Sequence, residues 1–316
     1  MEPSTPPKLA LRKAVVLCVD QQFLPFALFL ANQLHQNEVD RDYDICLIST
    51  SVLEIPQYFS GIRLVVPEPF ASEEYNQLKV THLARSAYLR MWAPHILAGA
   101  YDRIIYLDSD MFVDAGGLSD LFEVDMDGRP VAAVLDVQQW YRPNRKIKEF
   151  SISGQGFRKY FNSGFLLIDI STYLSSQVLE RALEIAATRP DLVIHHDQSL
   201  LNLALDGNWT ELSPVWNWQL PSKYPLFTDW TGARILHFFG GTKPWNDPKG
   251  LCPVRIRIAY ESFLDRHFPE LKTGNALEID VLRSPRRMVW MALRFMAMRP
   301  RLLRYLSRFP NPYETK

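Results

Sequence analysis

An α/β fold on a mixed, mostly parallel sheet is what this 316-residue sequence predicts, and three observations carry the prediction. Short apolar, β-branched runs bounded by turn formers recur at 14–20 (AVVLCVD), 43–49 (YDICLIS) and 62–67 (IRLVVP). Between the first two lies FLPFALFLANQLHQ, apolar at helical spacing, so the chain opens β-α-β-β. Strands that run the same way cannot be joined by a tight turn and need such a crossover helix.

The remaining elements follow in order. Residues 75–98 carry Leu78, Leu83, Ala87, Met91 and Ile96 at helical spacing, which predicts one or two helices interrupted near Pro94. RIIYLDSDMFV at 103–113 is the most strand-like run of the chain, and further strands are predicted at 130–137 and 160–170. An amphipathic helix at 175–189 is stopped by Pro190, and a second helix at about 197–205 is closed by the turn Asp206-Gly207. A last strand runs from 234 into a glycine turn before 245. No repeat or linker divides the body, so 14–275 reads as one domain between a flexible tail at 1–13 and a distinct segment at 276–316.

Composition excludes several classes of protein. With 35 Lys+Arg against 35 Asp+Glu and 47% hydrophobic residues, the chain is neither disordered nor fibrous. The three cysteines, Cys18, Cys46 and Cys252, have no metal-site spacing and argue against a disulfide framework, which points to a reducing compartment. The first residues, MEPSTPPKLALRK, lack the basic and apolar regions of an export signal, and no apolar run reaches the ~20 residues of a membrane span. The neutral total hides a division. Residues 283–316 hold eight Arg and one Lys against the single Glu314, a net +8, leaving 26 cations and 34 acids, a net −8, in the rest.

The sharpest chemical signal is Asp108-Ser109-Asp110, at the end of the buried run RIIYL. In an extended chain residues i and i+2 share a face, so the two carboxylates emerge together as hard oxygen ligands. The same tripeptide also fits a solvated acidic turn, and its context decides. His237 lies at the end of another apolar run, followed by Gly240, Gly241 and Lys243, residue types that let a backbone and an ammonium approach phosphate. Imidazole beside carboxylates favours Mn²⁺ over Mg²⁺, which prefers oxygen and water.

Six segments in order, VLCVD (16–20), AYLRMWAPHIL (87–97), RIIYLDSDMFV (103–113), YFNSGFLLIDI (160–170), HHDQSLLN (195–202) and ILHFFGGTKPW (235–245), give the sequence a family resemblance. It resembles the retaining glycosyltransferases of family 8, especially the bacterial galactosyl- and glucosyltransferases that build lipopolysaccharide. The resemblance implies a GT-A type fold, a single Rossmann-like nucleotide-binding domain. It makes Asp108, Asp110 and His237 the Mn²⁺ ligands, holding the diphosphate of a UDP-hexose, with Ser109 beside the nucleotide-sugar. Asp20 matches the family's acid near uracil and ribose, with Gln22 where close relatives often carry Asn. Arg90 matches a donor-site arginine, Gly240 and Lys243 match diphosphate contacts, and Asn162 and Asp197 match residues that bond the donor sugar. Gln198 matches the amide near the anomeric carbon; with Asp197 it is the catalytic pair of this reading. Having no ionisable proton, an amide is a poor nucleophile, so the expected course is same-face attack by the acceptor hydroxyl as UDP departs, with the configuration retained. His82 and Asp136 match acceptor-facing positions, while Ser199 departs from the second acid that many relatives carry. Taken singly, Asn162 is also an ordinary turn former, Asp197 a helix cap, His82 a helix-surface histidine and Asp136 a loop acid.

Arg287, Arg294, Arg301 and Arg308 recur at sevens in the basic segment, interleaved with Trp290, Phe295, Leu302 and Phe309, and Pro300 is placed to start a second short helix. An amphipathic, arginine-faced segment of this kind suits the headgroup region of an anionic membrane; a tail packed back on the body, or a disordered one, is the alternative. No nucleic-acid reader accompanies it. The reading is an enzyme on the cytoplasmic face of the inner membrane, peripherally attached, acting on a lipid-linked glycan. Its rivals are a cytosolic glucosyltransferase acting on protein or a soluble glycan, and a catalytically silent UDP-sugar-binding scaffold.

Overall fold

The computed structural model describes residues 12–67, 75, 78, 85–140, 142–219, 228, 231–271, 273–275 and 284–316. Strands β1 (Lys13–Cys18), β2 (Asp44–Ile48) and β3 (Ile62–Val65) form in the three opening runs, and the helix Leu24–Asn37 crosses between the first two. β4 (Arg103–Leu107) follows the helix Leu89–Leu97, and β5 (Met111–Val113) comes three residues later. β6 (Val131–Leu135), β7 (Phe161–Asp169), the two-residue β8 (Thr210–Glu211) and β9 (Ile235–His237) complete the set.

Seven strands make one sheet in the order β3-β2-β1-β4-β7-β6-β8. Its pairs are parallel except where β7 runs antiparallel to both β4 and β6. The mixed sheet is therefore mostly parallel, as the sequence predicts. The inserted β7 determines where chemistry can occur: Leu107 pairs with Phe165, so the start of β7 lies against the end of β4. β5 and β9 form a separate antiparallel ribbon whose register places Met111 opposite His237.

Several elements differ from the sequence reading. The run 103–113 is two strands in two sheets, because Asp108-Ser109-Asp110 forms a turn in which Met111 N–H donates to the Asp108 carbonyl at 3.2 Å. Pro94 lies inside the helix Leu89–Leu97 without ending it. Interior proline costs about 3 kcal/mol, and the burial of Leu89, Met91, Trp92, Ala93 and Leu97 offsets that cost. The segment read as one helix at 175–189 holds the end of a short helix, Ile170–Ser175, and a second helix, Val178–Thr188. The last strand is only three residues long. The helix Val254–His267 belongs to the body, burying Ile256, Tyr260, Phe263 and Leu264 at the spacing of one helical face.

The basic segment forms one helix, Pro285–Leu306, which runs through Pro300. It has two apolar faces. Met291, Phe295, Met298, Leu302 and Tyr305 pack toward the core, and Tyr305 stacks on Trp140 with centroids 5.9 Å apart. Val289, Leu293, Met296 and Leu303 are exposed. Beyond the helix the chain returns to the sheet edge: Glu211 and Lys316 exchange backbone hydrogen bonds of 2.8 and 3.0 Å, and the Trp216 indole donates to the Pro312 carbonyl at 2.8 Å. Arg308 clamps the buried Glu211 carboxylate through both oxygens at 2.9 and 2.8 Å, with Lys159 at 2.9 Å as the second cation.

Removing one of two cations from a buried carboxylate leaves its charge only partly compensated. Arg308→Ala is therefore expected to lower unfolding stability by about 2 kcal/mol, a charged hydrogen bond's contribution. Urea titration measures it, and a change under about 0.5 kcal/mol, the level of an ordinary surface substitution, would show that the terminal segment is not anchored there.

Candidate active site

In open α/β sheets ligands bind beyond the carboxyl ends of the strands, and the candidate residues collect there. Asp20 follows β1, Asp108 follows β4 and Asp136 follows β6. The antiparallel β7 brings its first residues to the same edge, so Asp108 N–H donates to the Gly164 carbonyl at 2.9 Å. The β5/β9 ribbon supplies the third side, with Phe238 N–H donating to the Asp110 carbonyl at 3.1 Å.

Asp108, Asp110 and His237 offer ligand atoms that all lie within 4.8 Å of one another. His237 Nε2 is 3.7 Å from Asp108 Oδ2 and 3.3 Å from Asp110 Oδ1. These carboxylates meet through a turn and a cross-strand register, not through the i, i+2 alternation of one extended strand. Gly164 makes the room: a Cβ there would lie 2.7 Å from Asp108 Oδ2 and collide with the His237 ring.

A chain of amides fixes how this imidazole presents itself. Gly164 N–H donates to Asn162 Oδ1 at 3.1 Å, and a backbone N–H can only donate, so that atom is the oxygen. Asn217 Nδ2 donates to the same Asn162 Oδ1 at 2.9 Å, which turns Asn217 Oδ1 toward His237 Nδ1, 3.0 Å away. Nδ1 therefore carries the proton, and Nε2 presents its lone pair to the carboxylates. Asp110 Oδ1 is buried and has no partner in hydrogen-bonding geometry. Two facing lone pairs in a buried position repel unless a proton or cation lies between them. Two carboxylates and one bare imidazole nitrogen fit a divalent cation, and the imidazole suits Mn²⁺ better than Mg²⁺.

The surrounding charges are matched to this cluster. Lys243 pairs with Asp110 Oδ2 and donates to the Phe238 carbonyl at 2.9 Å. Burial pushes the Asp110 carboxyl up, but the Lys243 ammonium beside it outweighs that and holds it below the usual carboxylate range. Arg90 is buried between Asp108 (2.8 Å) and Asp197 (3.2 Å), and it also donates to the Ser163 carbonyl at 2.9 Å. Burial alone would lower its pKa; Asp108 and then Asp197 reverse that and keep the guanidinium charged. Asp197 accepts from Ser163 Oγ at 2.8 Å, and burial raises its pKa despite Arg90.

Gln198 is gripped at both ends. Its Oε1 accepts from Asn162 Nδ2 at 3.1 Å and Ser163 N–H at 3.2 Å, while its Nε2 donates to Asp136 Oδ2 at 3.3 Å. Asp136 is buried, which raises its pKa, and its other oxygen accepts from Gln138 N–H at 2.9 Å. Asn162 thus contacts both Gln198 and, through Asn217, the His237 imidazole.

The other predicted positions divide. The Asp20 carboxylate accepts from Phe23 N–H at 3.1 Å and Ser86 Oγ at 3.2 Å, so it also fastens the turn that leads into the first helix. Gln22 is exposed; its neighbour Gln21 reaches the Glu54 N–H at 3.2 Å. Ser109 is a half-buried turn residue, and Gly240 takes φ +89, a left-handed turn open to solvent. Ser199 is fully buried and donates to Glu149 at 2.7 Å. His82 lies outside the described residues. Sequence reasoning passed over Ser163 and Gly164, although both stand in the motif that contains Asn162. It also passed over Tyr106, whose hydroxyl donates to Asp108 at 2.6 Å, and Asn217, for which no local signal exists.

Comparison with known proteins gives the family and the fold. The model of the family described as Glycosyl transferase family 8 matches residues 14–249. Glycosyltransferase GlyF of Streptococcus pneumoniae is 29% identical over 254 residues, covering 75% of this chain and 58% of that protein. Lipopolysaccharide 1,2-glucosyltransferase of Escherichia coli is 28% identical over 175 residues, covering 52% of this chain and 50% of that protein. The chain thus spans between half and two thirds of the length of these curated relatives. Among solved structures, the galactosyltransferase LgtC in complex with donor and acceptor sugar analogs superposes with a TM-score of 0.63 at 19% identity, covering 79% of this chain and 95% of that one. That likeness establishes a shared fold.

Partners that orient a metal-bound histidine are worth 10–100-fold in metal affinity. Asn217→Leu is accordingly expected to weaken Mn²⁺ binding by about that factor, read by electron paramagnetic resonance or calorimetry. Gly164→Ala, which intrudes on two ligands, is expected to weaken it at least as much. Unchanged affinity in both variants would remove the cluster from consideration as a metal centre.

Proposed function

This chain belongs to glycosyl transferase family 8, and we propose that it moves a hexose from UDP-galactose or UDP-glucose to a glycan acceptor with retention of configuration, giving an α-linkage. The observation that carries the proposal is the amide chain joining Gln198 to His237 through Asn162 and Asn217. It supports a reading in which three candidate cation ligands and a rigid neutral amide share one strand edge.

A divalent ion, Mn²⁺ in this reading with Mg²⁺ the poorer match, would be held by Asp108, Asp110 and His237 and would neutralise the departing diphosphate. Lys243, at the flank of that cluster, adds a positive charge for the leaving group. Arg90 keeps Asp108 and Asp197 fixed relative to each other, so the nucleotide and the donor sugar are positioned by one buried cation. Gly240 and Gly241 leave the backbone open to phosphate beside Lys243. Asp20 and Gln22, after β1, are the residues assigned to the nucleoside. Asn162 and Asp197 are assigned to the sugar.

Gln198, bonded through both its oxygen and its nitrogen, has neither an anionic form nor free rotation. It suits stabilisation of developing positive charge at the anomeric carbon, not a covalent intermediate. The acceptor hydroxyl then attacks from the face that UDP leaves, and a β-phosphate oxygen takes its proton. Asp136, which holds the Gln198 nitrogen, is the acceptor-facing acid, with His82 assigned to the same role.

The acceptor in this reading is a lipopolysaccharide core sugar, presented at the cytoplasmic face of the inner membrane. Support comes from the helix Pro285–Leu306. Its solvent face carries Val289, Leu293, Met296 and Leu303 beside the exposed Arg286, Arg299, Arg301 and Arg304. Among the described residues no helix is long and apolar enough to cross a membrane, so this face is assigned to the surface of anionic lipid.

Two experiments test the reading. With water as the only acceptor, UDP release from a panel of UDP-hexoses is expected for one donor and only with Mn²⁺. Asp110→Ala should abolish it, and Gln198→Ala should lower kcat about 100–1,000-fold, the scale of one lost electrostatic contact, with UDP affinity retained. Full activity in Asp110→Ala would sink the metal assignment, and failure to bind any UDP-sugar would sink the donor class. In sedimentation with liposomes, binding to anionic vesicles is expected to fall steeply with salt and in Leu293→Asp/Met296→Asp. Equal binding to neutral vesicles would rule out the lipid assignment.

A further inference from the structure

A mostly polar cavity is lined by Gln138, Arg145, Lys146, Lys148, Glu149 and His195, with Ile147, Tyr160 and Ile194 as its apolar part. Two bonded paths connect it with the Gln198 amide. Gln138 N–H donates to the Asp136 carboxylate that also holds Gln198 Nε2. Ser199, the residue after Gln198, donates to Glu149 at 2.7 Å and accepts from His195 N–H at 2.7 Å. The cavity is therefore tied to the candidate reaction centre through shared hydrogen-bond partners.

Its charges are arranged for a particular kind of ligand. Arg145, Lys146 and Lys148 are exposed and form no ion pair among the described residues. Glu149, 1% exposed, is the one carboxylate in the lining, and its Oε1 accepts from Ser199 and from the Tyr160 hydroxyl at 2.9 Å. Within the lining three cations face one carboxylate, and Arg145 is also felt by Asp136 behind Gln138. The loop bearing the cations is fixed from within: the buried Gln139 amide donates to the Arg145 carbonyl at 3.2 Å and the Arg158 carbonyl at 3.3 Å, and accepts from Tyr160 N–H at 2.9 Å. Unpaired cations on a braced loop beside a recessed carboxylate match a molecule with an anionic group and free hydroxyls. An inorganic anion alone would use the cations and set its charge against Glu149; a hydroxylated ligand uses both.

We propose that this cavity is an acceptor subsite that recognises a sugar carrying a phosphate or carboxylate group. The assignment rests on the glycosyltransferase reading for the word acceptor, but its test does not depend on turnover. Glu149 takes hydrogen bonds from sugar hydroxyls, and Arg145, Lys146 and Lys148 hold the anion. Specificity for a charged acceptor then arises from a loop that the catalytic cluster does not use.

Calorimetric titration of the full chain with methyl glucoside, methyl glucoside 6-phosphate, methyl glucuronide and inorganic phosphate tests the proposal. The two anionic glycosides are expected to bind about tenfold more tightly than the neutral one, the scale of one charge-assisted hydrogen bond. Inorganic phosphate should bind more weakly than the phosphorylated glycoside. In Arg145→Ala/Lys146→Ala/Lys148→Ala the preference should vanish, while Lys146→Arg/Lys148→Arg should retain it; circular dichroism verifies that both variants fold. Equal binding of neutral and anionic glycosides, a preference that survives loss of the three cations, or inorganic phosphate binding as tightly as the glycoside would each overturn it. UDP release separately decides the transferase reading, so failure of one is distinguishable from failure of the other.

Discussion

The arrangement of this site depends on two backbone N–H groups at the start of β7. Those of Ser163 and Gly164 can only donate, and each ends on a side-chain amide oxygen, Gln198 Oε1 and Asn162 Oδ1. From that point every other orientation follows. Asn162 gives its Nδ2 to Gln198, Asn217 gives its own to Asn162, and His237 is left with a protonated Nδ1 and a bare Nε2. Buried polar networks are costly when half satisfied and rigid when complete, so this chain specifies one geometry for the amide and the imidazole together.

That network exists only because β7 runs against its neighbours. A wholly parallel sheet would bring the amino end of each strand to the far edge. The antiparallel β7 instead brings Asn162, Ser163 and Gly164 to the edge where β4 ends in Asp108. Arg90 then finds acids from two directions, Asp108 after β4 and Asp197 in the helix His196–Leu205, and is paid for its burial by both. The absence of a side chain at Gly164 lets the carboxylate and the imidazole approach, a requirement of space and not of backbone conformation.

The carboxyl-terminal segment shows one helix serving two surroundings. Its inner face and the residues after it join the body through Tyr305, Arg308 and the backbone pairing of Lys316 with Glu211. The outer face keeps its apolar and basic side chains in solvent. Anchoring at the far end holds that outer face in a fixed relation to the sheet, which a free tail would not do.

The sequence alone determined the sheet-forming runs, because strands buried on both faces are written as continuous apolar segments. It also determined the chemical types gathered at the site, since DSD, NSG, HDQS and HFFGG are local patterns and family resemblance reads them directly. Tertiary structure decided what no local pattern carries. The DSD run is a turn between two sheets, not the middle of a strand, because β5 finds a partner in β9, more than a hundred residues away. Pro94 and Pro300 remain inside helices because packing offsets a lost hydrogen bond. Asn217 has no signature of its own; its role comes from standing between Asn162 and His237 in space. Local propensity selects elements, whereas register and burial select which side chains meet.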